Sequence, residues 1–259
     1  MFMKVACVQF DIAWENKPAN YAKVTQMLRE AKLAAGSLVL LPEMFSTGFS
    51  MNVALIAETK ARETESFLSR TAKEFGVYLV AGIVTARDGL GRNEAVVFSP
   101  DGVEIARYCK MQPFNLGGEG KNYAAGNDIV TFQWNDFTVA PFICYDLRFP
   151  ELFRAAAMRG AQLITVIASW PVMRIGHWVT LLQARAIENL AYVVGNNRSG
   201  KDPKLSYNGR SVIVNPHGDI LADAGDGEKV ISADVDVQNV IKWRADFPAL
   251  ADMRRKPIL

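Results

Sequence analysis

The sequence predicts an α/β fold with mixed sheets, on three observations: short apolar runs alternate with helical spacing along the chain, hairpin turns join some of those runs directly, and no linker or low-complexity segment interrupts them. With 259 residues, half of them hydrophobic, the chain is long enough to bury a sizeable core, and one domain over 1–259 is expected.

The elements follow in order. Met3 to Gln9 is an apolar, β-branched run, and residues 19–34 then carry helical spacing through Val24, Met27, Leu28 and Leu33. Ser37 to Leu41 is continuously apolar and ends at Pro42, as a strand buried on both faces would. Residues 61–75 read as an amphipathic helix and Val77 to Val84 as a buried strand. Glu94 to Phe98 and Val103 to Cys109 form a hairpin about Pro100-Asp101-Gly102. The Gly-, Pro- and Asn-rich stretch from Gln112 to Asn127 is long enough to be a functional loop. Beyond it come a strand over Thr138 to Ile143, a helix over 150–159, a strand over Leu163 to Ala168, a helix over 177–190 and a strand over Ala191 to Val194. Ser211 to Val214 and Val230 to Val235 are further strands, and from Trp243 to Leu259 no periodic pattern is evident.

Composition removes several classes of function. Lys and Arg number 29 against 27 Asp and Glu, a formal charge of +2, and no basic run is present to track phosphates, so nucleic acid is not an expected partner. The N-terminus reaches Asp11 too soon for a signal peptide, and no apolar run approaches the roughly 18–20 residues of a membrane span. Cys7, Cys109 and Cys144 form neither a metal-type nor a disulfide-type pattern. A soluble, cytoplasmic protein with no metal or cofactor is the expectation.

Three polar residues stand directly after strands: Glu43, Lys110 and Cys144. Ligands of α/β folds collect beyond the carboxyl ends of strands, which makes the three a candidate site. Each has a duller reading alone, Glu43 as a solvated loop carboxylate and Cys144 as an ordinary buried cysteine. Cys144 sits where a strand stops and a helix opens near Pro150, an elbow that exposes a sulfur beside backbone N–H groups. A nucleophilic thiol needs a proton acceptor and a nearby cation, and Glu43 and Lys110 supply those chemistries.

The segments Leu40-Leu41-Pro42-Glu43, Tyr108-Cys109-Lys110 and Ile143-Cys144-Tyr145-Asp146-Leu147-Arg148-Phe149-Pro150-Glu151 resemble the Glu-Lys-Cys set of the nitrilase superfamily. The resemblance spans essentially the whole chain. It includes Glu119 to Gly126, similar to the segment with the family's second glutamate, and the stretches His177-Trp178 and Arg185 to Asn189. The wording around Cys144, with Ser169-Trp170-Pro171, looks most like the omega-amidase branch, which hydrolyses ω-amides of 2-oxo acids such as 2-oxoglutaramate and 2-oxosuccinamate. Two segments depart from the family's wording: Met111-Gln112-Pro113 after the lysine, and Arg210 in Asn208-Gly209-Arg210-Ser211.

The resemblance implies a four-layer α-β-β-α sandwich of two mixed sheets and cleavage of a terminal carboxamide through a cysteine thioester. Glu43 would be the acid/base, Lys110 and the Tyr145 backbone N–H the oxyanion donors, and Glu119 a hydrogen-bonding partner of the substrate or of the other two. Arg148 would clamp the substrate carboxylate, its alternative being a salt bridge to Asp146 or Glu151, and Phe45, Phe114, Trp170 and Met173 would line the pocket. It also implies a homodimer through the helices at 150–159 and 177–190, joined by Arg174 to Trp178, with the Arg254-Arg255-Lys256-Pro257 tail crossing to the partner.

Other readings stay open. A Cys-His hydrolase would need His177 or His217 as base, and a binding or scaffolding member would be catalytically silent. Deaminated glutathione, N-carbamoyl amines, aliphatic amides and nitriles are rival substrates. No Gly-x-Ser-x-Gly elbow is present, and Gly117 to Asn122 lacks the Ser/Thr that a phosphate loop requires after its lysine.

Overall fold

A computed structural model describes residues 3–253. In chain order the first half runs β1 (Met3–Gln9), α1 (Lys17–Ala31), β2 (Leu38–Leu40), α2 (Val53–Ile56), α3 (Glu63–Phe75), β3 (Tyr78–Arg87), β4 (Leu90–Phe98), β5 (Glu104–Cys109) and α4 (Glu119–Asn122). The second half runs β6 (Phe132–Trp134), β7 (Phe137–Ile143), α5 (Pro150–Met158), β8 (Leu163–Ala168), α6 (Ile175–Asn189), β9 (Tyr192–Asn197), β10 (Ser199–Lys201), β11 (Ser206–Asn208), β12 (Val212–Val214), β13 (Ile220–Asp223), β14 (Lys229–Val235) and α7 (Val237–Asp246).

Two six-stranded sheets result, in the orders β14-β1-β2-β3-β4-β5 and β13-β12-β9-β8-β7-β6. Parallel pairs occupy the middle of each, β1 with β2 and β2 with β3, and β7 with β8 and β8 with β9, while the antiparallel edges come from hairpins and from the longer-range pairs β14 with β1 and β12 with β9. The period-2 pleat explains the layers. From the first sheet, Val5, Cys7, Leu38, Leu40, Val80 and Val97 face the second sheet, whose Val139, Ile143, Val166 and Val194 belong to the same buried cluster. The alternate residues Val8, Val39, Leu79, Ala81 and Val96 pack outward onto Val24 and Leu28 of α1 and Leu68 of α3. Helices α5 and α6 cover the other sheet through Phe153, Ala156, Trp178 and Leu182. The expected α-β-β-α sandwich is the observed one, and strands buried on both faces account for the continuously apolar runs.

Local chemistry sets the helix ends. Asn16 caps α1 by accepting the Ala19 N–H at 3.1 Å, and Gly76, at φ 64°, closes α3 in the left-handed conformation. Gly195 on β9 lets α6 approach closely: a Cβ there would stand too near the Leu182 and Trp178 side chains, which would have to shift.

Several elements differ from the sequence reading. The strand expected to end at Val84 continues to Arg87 and turns back as β4 from Leu90, because buried polar residues such as Asn93 and Glu94 break the apolar run without leaving the sheet. The short strands β6, β10, β11 and β13 carry too few residues to show a period. The supposedly patternless C-terminal stretch begins inside α7, which opens at Asp236, whose carboxylate accepts the Gln238 N–H. The Arg254-Arg255-Lys256-Pro257 tail lies outside the described residues. Among the described residues no helix is long and apolar enough to cross a membrane.

Candidate active site

The chain beyond β2 turns at Met44, which takes φ 48°, and lays its backbone directly on β3. Gly82 makes this possible, since a Cβ there would lie 2.6 Å from the Glu43 Cα and 2.5 Å from the Met44 nitrogen. Glu43 is thereby driven inward and fully buried. Its Oε1 accepts hydrogen bonds from Lys110 Nζ at 2.9 Å and Asn93 Nδ2 at 2.7 Å, and its Oε2 from the Ser169 backbone N–H at 2.9 Å.

Lys110, just past β5, is 2 % exposed and donates to both oxygens of Glu119, at 3.1 and 2.9 Å, as well as to Glu43. Glu119 opens α4 inside the glycine-rich loop and is held by Asn93 Nδ2 at 2.8 Å and the Phe114 N–H at 2.6 Å. Burial alone would lower the ammonium's pKa, but the Glu119 and Glu43 carboxylates overcome it and hold Lys110 well above the ordinary lysine range. The set is a buried cation between two buried carboxylates, with Asn93 tying the carboxylates together.

Cys144 ends β7 and begins a 3₁₀ turn over Cys144–Arg148 before Pro150 starts α5. Its φ of 46° places a non-glycine residue in the left-handed region, a strained elbow of the kind found under nucleophiles. Burial, reinforced by the negative charge of Glu43 and opposed in part by Lys110, pushes the thiol well above its usual pKa. A thiol held up in this way would need a proton acceptor in order to act as a nucleophile.

Glu43, Lys110 and Cys144 line one pocket together with Tyr145, Phe114, Trp170 and two arginines, Arg148 and Arg174. Arg148 stacks over Trp170, 4.8 Å from the ring centroid, and meets His177 Nδ1 at 3.3 Å rather than Asp146 or Glu151. Arg174 lies over Phe114 at 5.6 Å. Among the described residues neither guanidinium has a carboxylate oxygen within 4.0 Å.

A family model described as carbon-nitrogen hydrolase matches residues 4–245. The chain belongs to that family. Over 253 residues, 97 % of each chain, this carbon-nitrogen hydrolase is 34 % identical to the 2-oxoglutaramate amidase of Bacillus subtilis. It is 32 % identical over 253 residues, 96 % of each chain, to the omega-amidase YafV of Escherichia coli K12. A CN-hydrolase superfamily protein of Xanthomonas campestris, whose crystal structure carries an arsenic adduct in the active site, superposes with a TM-score of 0.92 at 28 % identity, covering 100 % of both chains. The nitrilase-superfamily resemblance and its omega-amidase leaning are thus upheld.

Two pocket assignments need correction. Phe45 does not line the pocket of this carbon-nitrogen hydrolase: the turn at Met44 sends it to the helix side of the first sheet, fully buried against Tyr21 and Phe67. Met173 is 66 % exposed and borders an outer groove that shares Phe49, Phe114 and Arg174 with the pocket. Arg174 itself, expected at a subunit interface, faces the pocket, and Trp178 is fully buried with its Nε1 donating to the Arg210 carbonyl. Of the departures in wording, Arg210 pairs with Asp223 at 2.7 Å outside the pocket, whereas the Gln112 N–H donates to Asp146. His217 stacks on Trp243 and His177 is not a pocket wall, so neither histidine is placed as a base for Cys144.

Sequence reading missed Asn93, Ser169, Phe49 and Tyr207. Asn93 stands one residue before the strand read from the sequence, in the polar stretch Arg92-Asn93-Glu94 that interrupts the apolar run of β4, and Phe49, whose ring lies 5.3 Å from Lys110 Nζ, looks like any core aromatic. Tyr207 lies on β11, too short to be seen as a strand.

Proposed function

We propose that this carbon-nitrogen hydrolase cleaves the terminal amide of small carboxylate-bearing amides, foremost the ω-amides of 2-oxo acids such as 2-oxoglutaramate and 2-oxosuccinamate, releasing ammonia. The observation that carries the reading is the pair of guanidiniums in the pocket, Arg148 and Arg174, which have no carboxylate partner among the described residues. A half-buried cation without a counter-charge is suited to an anionic ligand, and a planar guanidinium grips a carboxylate through two parallel hydrogen bonds. Similarity to the 2-oxoglutaramate amidase of Bacillus subtilis supports the same substrate.

In this reading the Cys144 sulfur attacks the amide carbon while Glu43 takes the thiol proton, which suits a thiol held in its protonated form. The proton passes from Glu43 to the departing nitrogen, the C–N bond breaks, ammonia leaves and a Cys144 thioester remains. Water, deprotonated by Glu43, then attacks the thioester carbon, the C–S bond breaks, and the departing Cys144 sulfur takes the proton back from Glu43 as the carboxylic acid product leaves. Lys110 and the Tyr145 backbone N–H stabilise the oxyanion in both steps, with Glu119 holding Lys110 in place.

The test is ammonia release from a panel of 2-oxoglutaramate, 2-oxosuccinamate, glutamine, an N-carbamoyl amino acid and a nitrile. The 2-oxo ω-amides are expected to lead in kcat/KM by about tenfold or more. A carbamoyl compound or a nitrile in first place would overturn the substrate assignment. We also propose a homodimer through α5 and α6, on which Met158 and Ile187 are 51 % and 52 % exposed; light scattering at the monomer mass would refute it.

A further inference from the structure

Asp146 lies two residues past Cys144, is fully buried and forms no part of the pocket wall. Its Oδ2 accepts the Ile143 N–H at 3.0 Å and the Tyr108 hydroxyl at 2.8 Å, and its Oδ1 accepts the Gln112 N–H at 2.9 Å. These donors come from two separate places. Ile143 immediately precedes the strained Cys144, while Tyr108 and Gln112 stand two residues to either side of Lys110. One carboxylate therefore joins the segment that carries the thiol to the segment that carries the ammonium, across the interface between the two sheets.

All three contacts are donors, so the site is built for an ionised, acceptor-only carboxylate. A proton on either oxygen meets a donor already in place, and at least one of the three bonds must be given up or reversed. We propose that Asp146 is a positioning residue of the hydrolase: its carboxylate braces the Cys144 elbow against the Lys110 segment, and protonation loosens the brace and slows turnover. This rests on the reading of Cys144 as nucleophile.

The transition falls in an accessible range. Burial pushes Asp146 up to about 7, against the lowering influence of Lys110, the Ile143 N–H, Tyr108 and the Gln112 N–H. The titratable groups that face it are Tyr108, Cys109 and Lys110, all on β5 or just past its end. Tyr108 and Cys109 are themselves pushed up, burial being the main cause for each, so both stay neutral around pH 7 and Lys110 is the nearby charge. The same group has an opposite signature in stability. A carboxyl raised from its ordinary 3.8 to about 7 binds a proton in the folded state first, so its stabilising contribution is complete at low pH and is lost as pH rises through 7. Activity should rise over the interval in which this contribution to stability falls.

The experiment measures kcat and KM for 2-oxoglutaramate from pH 5 to 9 in the wild type, Asp146→Asn and Tyr108→Phe, with Cys144→Ala alongside. Wild-type kcat is expected to fall off on the acid side near pH 7. Asp146→Asn should abolish that limb and lower kcat by about 10- to 100-fold at pH 8, with KM within about twofold. Tyr108→Phe removes one donor to the ionised carboxylate and should move the limb to higher pH. Wild-type kcat and an unmoved limb in Asp146→Asn, or a loss appearing wholly in KM, would overturn the proposal. Should Asp146→Asn fail to fold, an unmoved limb in Tyr108→Phe overturns it alone. Turnover by Cys144→Ala would instead remove the nucleophile assignment on which the proposal rests.

Discussion

The two ends of the pocket are built on opposite terms. At the inner end Glu43, Lys110 and Glu119 are buried and tied to one another, to Asn93 and to backbone N–H groups by bonds of 2.6–3.1 Å. At the outer end Arg148 and Arg174 are half-buried, rest on aromatic rings and hold no carboxylate among the described residues. Charged groups already held in place by hydrogen bonds have little to reorganise when charge develops on a substrate, so the inner end is arranged for chemistry. An unpaired guanidinium has its interaction still to make, so the outer end is arranged for binding.

Four substitutions test that contrast, beginning with the largest effect. Glu43→Gln keeps the shape of the inner end and leaves Glu119 to pair with Lys110, yet removes the base. It should fold and lose about 100- to 10,000-fold in kcat, read by single-turnover ammonia release. Near-normal turnover would mean that another group accepts the thiol proton. Arg148→Ala and Arg174→Ala should act mainly on KM for 2-oxoglutaramate, raising it by about 10- to 100-fold, the worth of a charge-assisted hydrogen bond of about 1.5–3 kcal/mol. A kcat loss with unchanged KM would move these arginines to the chemical end. Met173→Ala, at an exposed residue on the outer groove, should leave thermal stability within about 0.5 kcal/mol and KM within about twofold.

The same contrast separates what was legible in the sequence. Glu43, Lys110 and Cys144 were visible because each follows a strand, apolar throughout for Glu43 and largely so for Cys144, and strand ends are where an α/β fold collects polar side chains. Glu119 was visible only through resemblance, its loop having no periodic pattern to place it. Asn93 was not visible at all: it occupies a mid-strand position, and its value lies in reaching two carboxylates 50 and 26 residues away. Phe45 was assigned to the wrong surroundings because the direction of a side chain after a turn depends on backbone angles. The φ of 48° at Met44 reverses the face that counting residues from Glu43 would suggest.

By itself the sequence determined the alternation of strands and helices, the burial of both sheet faces and the position of Glu43, Lys110 and Cys144 just past strand ends. Those properties are local: they depend on side-chain period, on turn residues and on which residue follows a strand. Only the tertiary structure decided that Glu43 meets Lys110 across 67 residues, that Asp146 links the cysteine's segment to the lysine's, and that Arg174 turns toward the pocket. Those facts depend on how two sheets stack and where loops end, which no local pattern records, since pairing across a sandwich is set by the packing of the whole core.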